Sequence, residues 1–315
     1  MVTDSTIRKA LVIGRSQANQ VLKMRDKALK RRRAAARKLS KRRRPERAQP
    51  LPPKVLRAVA EVATAGTLVA EGDSWFDYPF VDVLRLLEDA YAYDVESVAH
   101  KGDPVEEMAY GVGQLVEFTR RLEKLLRRNV IPKALLLSGG GNDVAGPEFG
   151  MLLNHASSAV AGVNQQVIAG VIDERVRVAY ATILSAVTKL CEERLGRRIP
   201  ILVHGYDYPV PDGRGFMGGW WVLPGPWLDP GFREKGFSDI SERIQLMKEI
   251  IDRFNTMLKS ITSLSDFSHV QYIDLRKTLS VDSDYKQYWA NELHPTQKGF
   301  ELVTRRFADA LAALP

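Results

Sequence analysis

The sequence predicts an α/β fold, a parallel sheet with helices on both faces, preceded by a basic arm. Two observations predict the sheet: from about residue 66, short apolar runs of strand length alternate with amphipathic stretches of helix length, and the unusual Gly, Asp, Asn and His residues fall where the apolar runs end. A third predicts the arm: residues 1–54 carry 18 Lys/Arg against 3 Asp/Glu, a net of +15, while the remainder carries 28 against 35, a net of −7. The overall net charge of +8 therefore belongs to the arm, and any basic partner surface must lie there.

The arm, residues 1–48, is rich in Arg, Lys and Ala, with Leu22, Leu29 and Ala36 at heptad spacing. That composition predicts an exposed helix weakened by like-charge repulsion, or a disordered segment. Pro45 and the stretch Gln49-Pro50-Leu51-Pro52-Pro53 end it as a linker. The expected division is thus residues 1–53 as arm and linker and residues 54–315 as the folded domain. Three partners suit the arm: an anionic membrane surface, nucleic acid through phosphate neutralisation, or none, as a solvated tail or protein-docking segment. The absence of any aromatic residue from 1–48 argues against stacking on single-stranded bases.

Within the domain the strand candidates are 67–71, 94–99, 133–138, 199–204 and 270–275. The clearest helix carries Ile240, Ile244, Met247, Ile251, Phe254, Leu258 and Ile261 on one face. Val176, Ala179, Ile183, Val187 and Leu190 mark a second, and Phe300, Val303, Phe307 and Leu311 a third. Strands separated by helices imply right-handed crossovers, hence a parallel sheet whose site lies at the strands' C-terminal ends.

Of 315 residues 45% are hydrophobic, ample for one large domain or two small ones, yet the longest apolar runs, such as 134–137 and 199–203, are too short to span a bilayer. The apolar stretch 10–13 is too short for a signal peptide, and the lone Cys191 fits a reducing compartment, so a cytoplasmic protein, peripheral to a membrane at most, is expected. No His/Cys/Asp/Glu grouping has metal-ligand spacing, and neither metal nor other cofactor is expected.

Four stretches carry the chemistry. Strand one ends in Glu71-Gly72-Asp73-Ser74-Trp75-Phe76, which sets a hydroxyl where a helix would begin, though Asp or Ser there is also an ordinary N-cap. Strand two leads to His100-Lys101-Gly102-Asp103-Pro104, where the glycine permits positive φ or a close backbone approach. Strand three ends in Ser138-Gly139-Gly140-Gly141-Asn142-Asp143, a loop suited to hugging a ligand and presenting an amide; no Gly-Lys-Ser/Thr follows, so it is not a phosphate-binding P-loop. His294 follows the last strand beside Pro295 and can act as the base that a serine needs.

In this order the stretches resemble the SGNH (GDSL-type) hydrolase superfamily over roughly residues 66–312: Gly72-Asp73-Ser74 for the first block, Gly102 for the second, Gly140-x-Asn142-Asp143 for the third and His294 for the fourth. The resemblance implies a flavodoxin-like three-layer sandwich with a five-stranded parallel sheet. It implies that Ser74 is nucleophile and His294 general base and then acid, with the Ser74 N–H, the Gly102 N–H and the Asn142 amide as oxyanion hole. The implied activity is carboxylic ester hydrolysis, esterase- or lipase-like, through an acyl-Ser74 intermediate.

The superfamily usually has Asp three residues before the histidine; here that residue is Asn291. Either Asn291 orients the imidazole through its carbonyl oxygen, or Glu292, Asp284 or Asp282 substitutes, or a Ser–His dyad works alone or impaired. Around the substrate, Asp73, Trp75 and Tyr206 are expected as contacts, together with Trp220 and Trp221 from a loop that holds three of the five tryptophans within eight residues. Such a loop serves as a buried Ω-like core or as an apolar wall favouring hydrophobic acyl or aryl esters, lipids among them. Residues 144–170 read as an insertion beside the site. Two further functions stay open: O-acetyl ester cleavage on a carbohydrate, and an inactive scaffold that binds through its arm.

Overall fold

The computed structural model of the chain describes residues 4–42, 64–111, 113–218 and 223–315. Five strands form one parallel sheet: β1 Thr67–Glu71, β2 Asp94–Ser97, β3 Ala134–Leu137, β4 Ile201–His204 and β5 Val270–Ile273, in the order β2-β1-β3-β4-β5. Each lies inside the run expected to form it, shortened by up to two residues at an end, and the order is flavodoxin-like. Burial follows position: every residue of the central β3 is buried, whereas the edge strand β2 is only partly covered.

Helices α2 Val83–Tyr91 and α7 Gln297–Ala312 pack together in one layer. In the other layer, α3 Val105–Tyr110, α4 Gln114–Leu126 and α6 Ile240–Thr262 all touch the central α5, Arg177–Leu195. Local signals fix their ends. Asp82 accepts from the Arg85 N–H at 2.8 Å to cap α2, Asp239 from the Glu242 N–H at 2.8 Å to cap α6, and Thr296 from the Gly299 N–H at 3.1 Å to cap α7. All three expected apolar stripes face the core, save that Ile240, at the first turn of α6, is exposed and Ile244 only half-buried. Cys191 is buried within α5, and burial pushes its thiol up to about 12, so it packs as an inert hydrophobe. No described helix is long and apolar enough to cross a membrane.

The expected insertion, residues 144–170, consists of a single 3₁₀ turn Phe149–Leu152, a two-residue antiparallel ladder pairing Leu153–Asn154 with Gly162–Val163, and a short helix Gln165–Ile168 that runs through a π-helical stretch Ala169–Val176 into α5.

The basic segment departs from the free arm its composition suggested. It forms one helix, α1 Asp4–Arg42, and the first half of α1 is docked on the outer side of α5. Ile7, Ala10, Leu11, Ala18, Val21 and Leu22 are buried there, a spacing of three and four residues that gives one apolar face. At Gly14 the two helices come so close that a Cβ would sit 2.2 Å from the Thr182 carbonyl oxygen. Polar ties flank the seam: the Ser185 hydroxyl donates to the Leu11 carbonyl at 2.7 Å, and Arg25 bonds the fully buried Glu123 at 2.8 Å, which Arg194 also reaches at 3.2 Å. Beyond it Lys23, Lys27, Lys30, Arg31 and Arg33 point to solvent. Leu22 of the heptad is buried and Leu29 half-buried; the side chain of Ala36 and the linker 45–53 lie outside the described residues.

Because Gly14 is a contact point and not a hinge, Gly14→Val is expected to lower stability by about 1–3 kcal/mol through overpacking. Thermal unfolding reads the loss, and limited trypsinolysis should cut within α1 earlier; an unchanged transition would show that α1 is not held by this seam.

Candidate active site

The four stretches converge at the C-terminal edge of the sheet. After β1 the chain turns sharply, with the Phe76 and Asp77 N–H groups donating to the Asp73 carbonyl at 3.0 and 3.1 Å, and this turn presents Ser74. Asp77 accepts from the Lys101 N–H at 3.0 Å, which ties the turn to the loop after β2. Gly102 in that loop has φ +89°, and a side chain there would meet nothing within 4 Å. After β3, Gly140 adopts φ +105°, and a Cβ on it would lie 2.3 Å from the Phe254 ring, so two constraints demand glycine at this position. Asn142 follows in the short helix Gly141–Val144; its side-chain amide donates to the Asp103 carbonyl at 3.2 Å, and Asp143 accepts from the Val105 N–H at 2.8 Å. The second and third stretches are thus pinned to each other.

His294 precedes the cap of α7 by two residues, in a loop closed by a bridge between Trp289 and Pro295. Its Nε2 lies 2.8 Å from Ser74 Oγ and its Nδ1 3.0 Å from Asn291 Oδ1. The same Oδ1 accepts from the Leu293 and His294 backbone N–H groups at 3.0 and 2.9 Å, while the Asn291 amide nitrogen faces the Tyr78 hydroxyl at 3.1 Å. Backbone donors therefore decide which end of the amide faces the imidazole. An acceptor there requires the proton on Nδ1, leaving the Nε2 lone pair to take the hydrogen bond from Ser74.

Of the three arrangements open for the histidine partner, the geometry brings Asn291. Glu292 points the other way: fully buried, its carboxylate accepts from the N–H groups of Gly213, Trp227, Leu228 and Asp229 at 2.7 to 3.0 Å. Burial pushes this carboxyl up and the four amides push it down. Asp284 accepts from the Ser280 hydroxyl at 2.6 Å. Neither Asp284 nor Asp282 is bonded to His294. Glu292 instead ties Gly213 and residues 227–229 to the histidine loop, helped by Arg214, which donates to the carbonyls of Trp289 and Ala290 at 2.9 and 3.2 Å. Glu292→Ala would orphan four amide groups, with an expected cost of about 3 kcal/mol or more. A denaturant midpoint equal to that of the parent would refute this anchoring role.

The electrostatics of the site are set by burial. His294 is 6% exposed, sandwiched by the Tyr78 ring stacked on it at 4.3 Å and by the edge of Trp227 at 5.5 Å, and desolvation pushes its imidazole down to about 3. At the end of β1 burial pushes Glu71 up to about 8, and in the helix Gly141–Val144 it pushes Asp143 up to about 6. Among the described residues no group of three or more His, Cys, Asp or Glu side chains is placed to hold a metal ion.

A cavity of about 40 Å³ opens beside Ser74 and Asn142. Its walls are apolar: Val144, Ala145, Met247, Ile251, Phe254 and Leu293 among them. Asp73, Trp75 and Tyr206 also line it, but their polar atoms turn into the protein. The Trp75 indole donates to the Leu293 carbonyl at 3.2 Å, and the Tyr206 hydroxyl donates to the Asp73 carboxylate. They wall the cavity and offer it no free hydrogen-bonding group. Trp220 and Trp221 lie outside the described residues. Three further side chains belong here: Trp227, from the tryptophan-rich loop, Ser138, which opens the third stretch, and Tyr78, which local patterns did not single out although it lies four residues after Ser74.

This architecture is a flavodoxin-like α/β fold with the four stretches at the ends of β1, β2 and β3 and after β5. No protein-family profile matches the chain, and no curated protein matches it. Solved structures similar to it include a lipase from a goat rumen metagenome, at 15% identity over 78% of this chain and 97% of that one with a TM-score of 0.48. A catalytic mutant of an acetylxylan esterase from Geobacillus stearothermophilus matches at 14% identity over 79% of this chain and 95% of that one, TM-score 0.41. A lipase/acylhydrolase from Enterococcus faecalis matches at 15% identity over 79% and 97%, TM-score 0.38.

Proposed function

We propose that the protein hydrolyses carboxylic esters through an acyl-Ser74 intermediate. The observation that carries this reading is the hydrogen-bonded series from Ser74 Oγ to His294 Nε2 at 2.8 Å and from His294 Nδ1 to Asn291 Oδ1 at 3.0 Å. His294 takes the Ser74 proton as Oγ attacks the ester carbonyl, and returns it to the leaving alkoxide; water then repeats the cycle on the acyl-enzyme. Asn291 fixes ring and tautomer, as Asn does in Cys-His-Asn sites, but adds no charge to steady the imidazolium. The Ser74 N–H, the Gly102 N–H and the Asn142 side chain are the donors for the tetrahedral oxyanion.

The cavity favours short acyl groups. At about 40 Å³ and with apolar walls it has room for roughly three waters, which supports an acyl group of a few carbons seated beside Ser74. This supports the O-acetyl ester alternative over the lipid-like substrate that the tryptophan-rich loop suggested.

A fluorophosphonate probe on the intact protein tests the reading: mass spectrometry should find the adduct on Ser74 and nowhere else. An unlabelled, folded protein would instead support a scaffold that has lost catalysis. A panel of 4-nitrophenyl esters should show rates falling steeply beyond the butyrate.

A further inference from the structure

Directly behind Ser74 lies a buried polar unit that the ester chemistry above does not use. Asp73 Oδ1 is 2.7 Å from Ser138 Oγ and accepts from the Trp75 N–H at 3.0 Å, and Asp73 Oδ2 is bonded by the Tyr206 hydroxyl. Ser138 Oγ is also 2.8 Å from His204 Nε2, and His204 Nδ1 is 2.8 Å from the Gly205 carbonyl oxygen. Asp73, Ser138 and His204 are at most 1% exposed, so water does not complete this network from bulk solvent. His204, at the end of β4, therefore has no access to substrate; it stacks on Trp75 at 5.7 Å.

The protons can be counted. A carbonyl oxygen cannot donate, so His204 Nδ1 carries hydrogen toward Gly205. Three contacts remain, Tyr206 to Asp73, Ser138 to Asp73 and Ser138 to His204, and each needs one proton between its two heavy atoms. The two hydroxyls supply two. An ionised Asp73 beside a neutral His204 would leave one pair of lone pairs facing each other inside the protein, an arrangement that burial penalises heavily.

We infer that Asp73, Ser138 and His204 hold one surplus proton between them, and that the resulting neutrality keeps a bare carboxylate from opposing the oxyanion formed at the adjacent Ser74. The functional half rests on the ester-hydrolase reading. The proton has two resting places. On His204 it makes an imidazolium that donates through Ser138 to a carboxylate. On Asp73 it makes a carboxylic acid that donates through Ser138 to a neutral imidazole. Burial presses His204 below its usual range, while the Gly205 carbonyl and the Asp73 carboxylate press it back up, and either placement leaves the unit without net charge. Asp73, Ser138 and His204 are thus positioning residues, acting through the turn that carries Ser74.

Nuclear magnetic resonance of the intact protein, with ¹⁵N-labelled histidine and ¹³C-labelled aspartate near neutral pH, counts the proton directly. The expected result is either both ring nitrogens of His204 protonated, or His204 protonated on Nδ1 alone with the Asp73 carboxyl protonated. A neutral His204 together with an ionised Asp73 overturns the inference. This measurement reads protonation and not turnover, so it stands apart from whether Ser74 is labelled. The consequence for rate is read with His204→Gln, whose amide still donates to Ser138 but brings no acidic proton. Its kcat on a short-chain ester is expected to fall about tenfold or more, with KM within about twofold. Ser138→Ala, which cuts the same link by a smaller change, should fall likewise. Parent-like kcat in both variants would show that the proton has no part in the reaction.

Discussion

Ser74→Ala is expected to lower kcat on 4-nitrophenyl acetate by between about a thousandfold and a millionfold, with little change in KM. In the proposed mechanism the whole covalent route runs through one oxygen, and the remaining donors can only bind the ester. Ser74 is half-buried, and its hydroxyl bonds His294 at 2.8 Å without bracing any other element, so the variant should unfold at the parent's temperature. That combination separates lost chemistry from lost structure. Activity within tenfold of the parent, measured on protein purified away from contaminating esterases, would remove Ser74 from the role of nucleophile.

Asn291 gives the second large effect, in two opposite directions. Asn291→Ala removes the acceptor that holds His294 Nδ1 and two backbone N–H groups, freeing the ring to turn and to take the wrong tautomer. The expected loss in kcat is about a hundredfold to ten-thousandfold. Asn291→Asp places a negative charge 3.0 Å from Nδ1 and should keep or raise activity, with the Tyr78 hydroxyl turning to donate. The pH profile distinguishes these roles. A general base works when neutral, so kcat/KM is lost as pH falls through its pKa. Burial pushes His294 down to about 3, and the parent should therefore stay active well into acid. A carboxylate partner favours the imidazolium, raises that pKa, and moves the acid limb up toward neutrality by about one to three pH units. An acid limb that does not move in Asn291→Asp, or a variant that is inactive at every pH, would contradict the assignment.

Much of this was legible in the chain. The five strands are short apolar runs bounded by polar turns, and their period admits one interpretation once helices are seen between them. Ser74 and Asn142 were legible because each follows a strand end, and His294 because it stands in the loop before the last helix, in stretches that packing alone does not require. The partner of His294 was not, since Asn291 and Glu292 are neighbours in sequence and the direction each faces depends on contacts with Gly213, Trp227, Leu228 and Asp229, far away in the chain. The unit of Asp73, Ser138 and His204 gives no local signal, because its members are 65 and 66 residues apart along the chain and meet through parallel strand pairing. The docking of α1 was hidden by its composition. Its seam is made of small or few apolar residues, Ala10, Gly14 and Ala18 among them, and summing charge over the whole segment conceals that only Arg8, Lys9 and Arg15 fall between residues 5 and 22.

That seam bears on how the protein can be handled. Trimming the chain near residue 50 looks like harmless removal of a sticky, highly charged tail. It would also strip α5 of the cover that Ile7, Leu11, Val21 and Leu22 provide, and would leave Glu123 without Arg25. A shortened protein made to improve solubility would trade electrostatic stickiness for an exposed greasy stripe, and would aggregate by a different route. The positive charge and the fourth layer of the fold come on one helix, and a design that wants the first gone must neutralise it residue by residue from Lys23 onward.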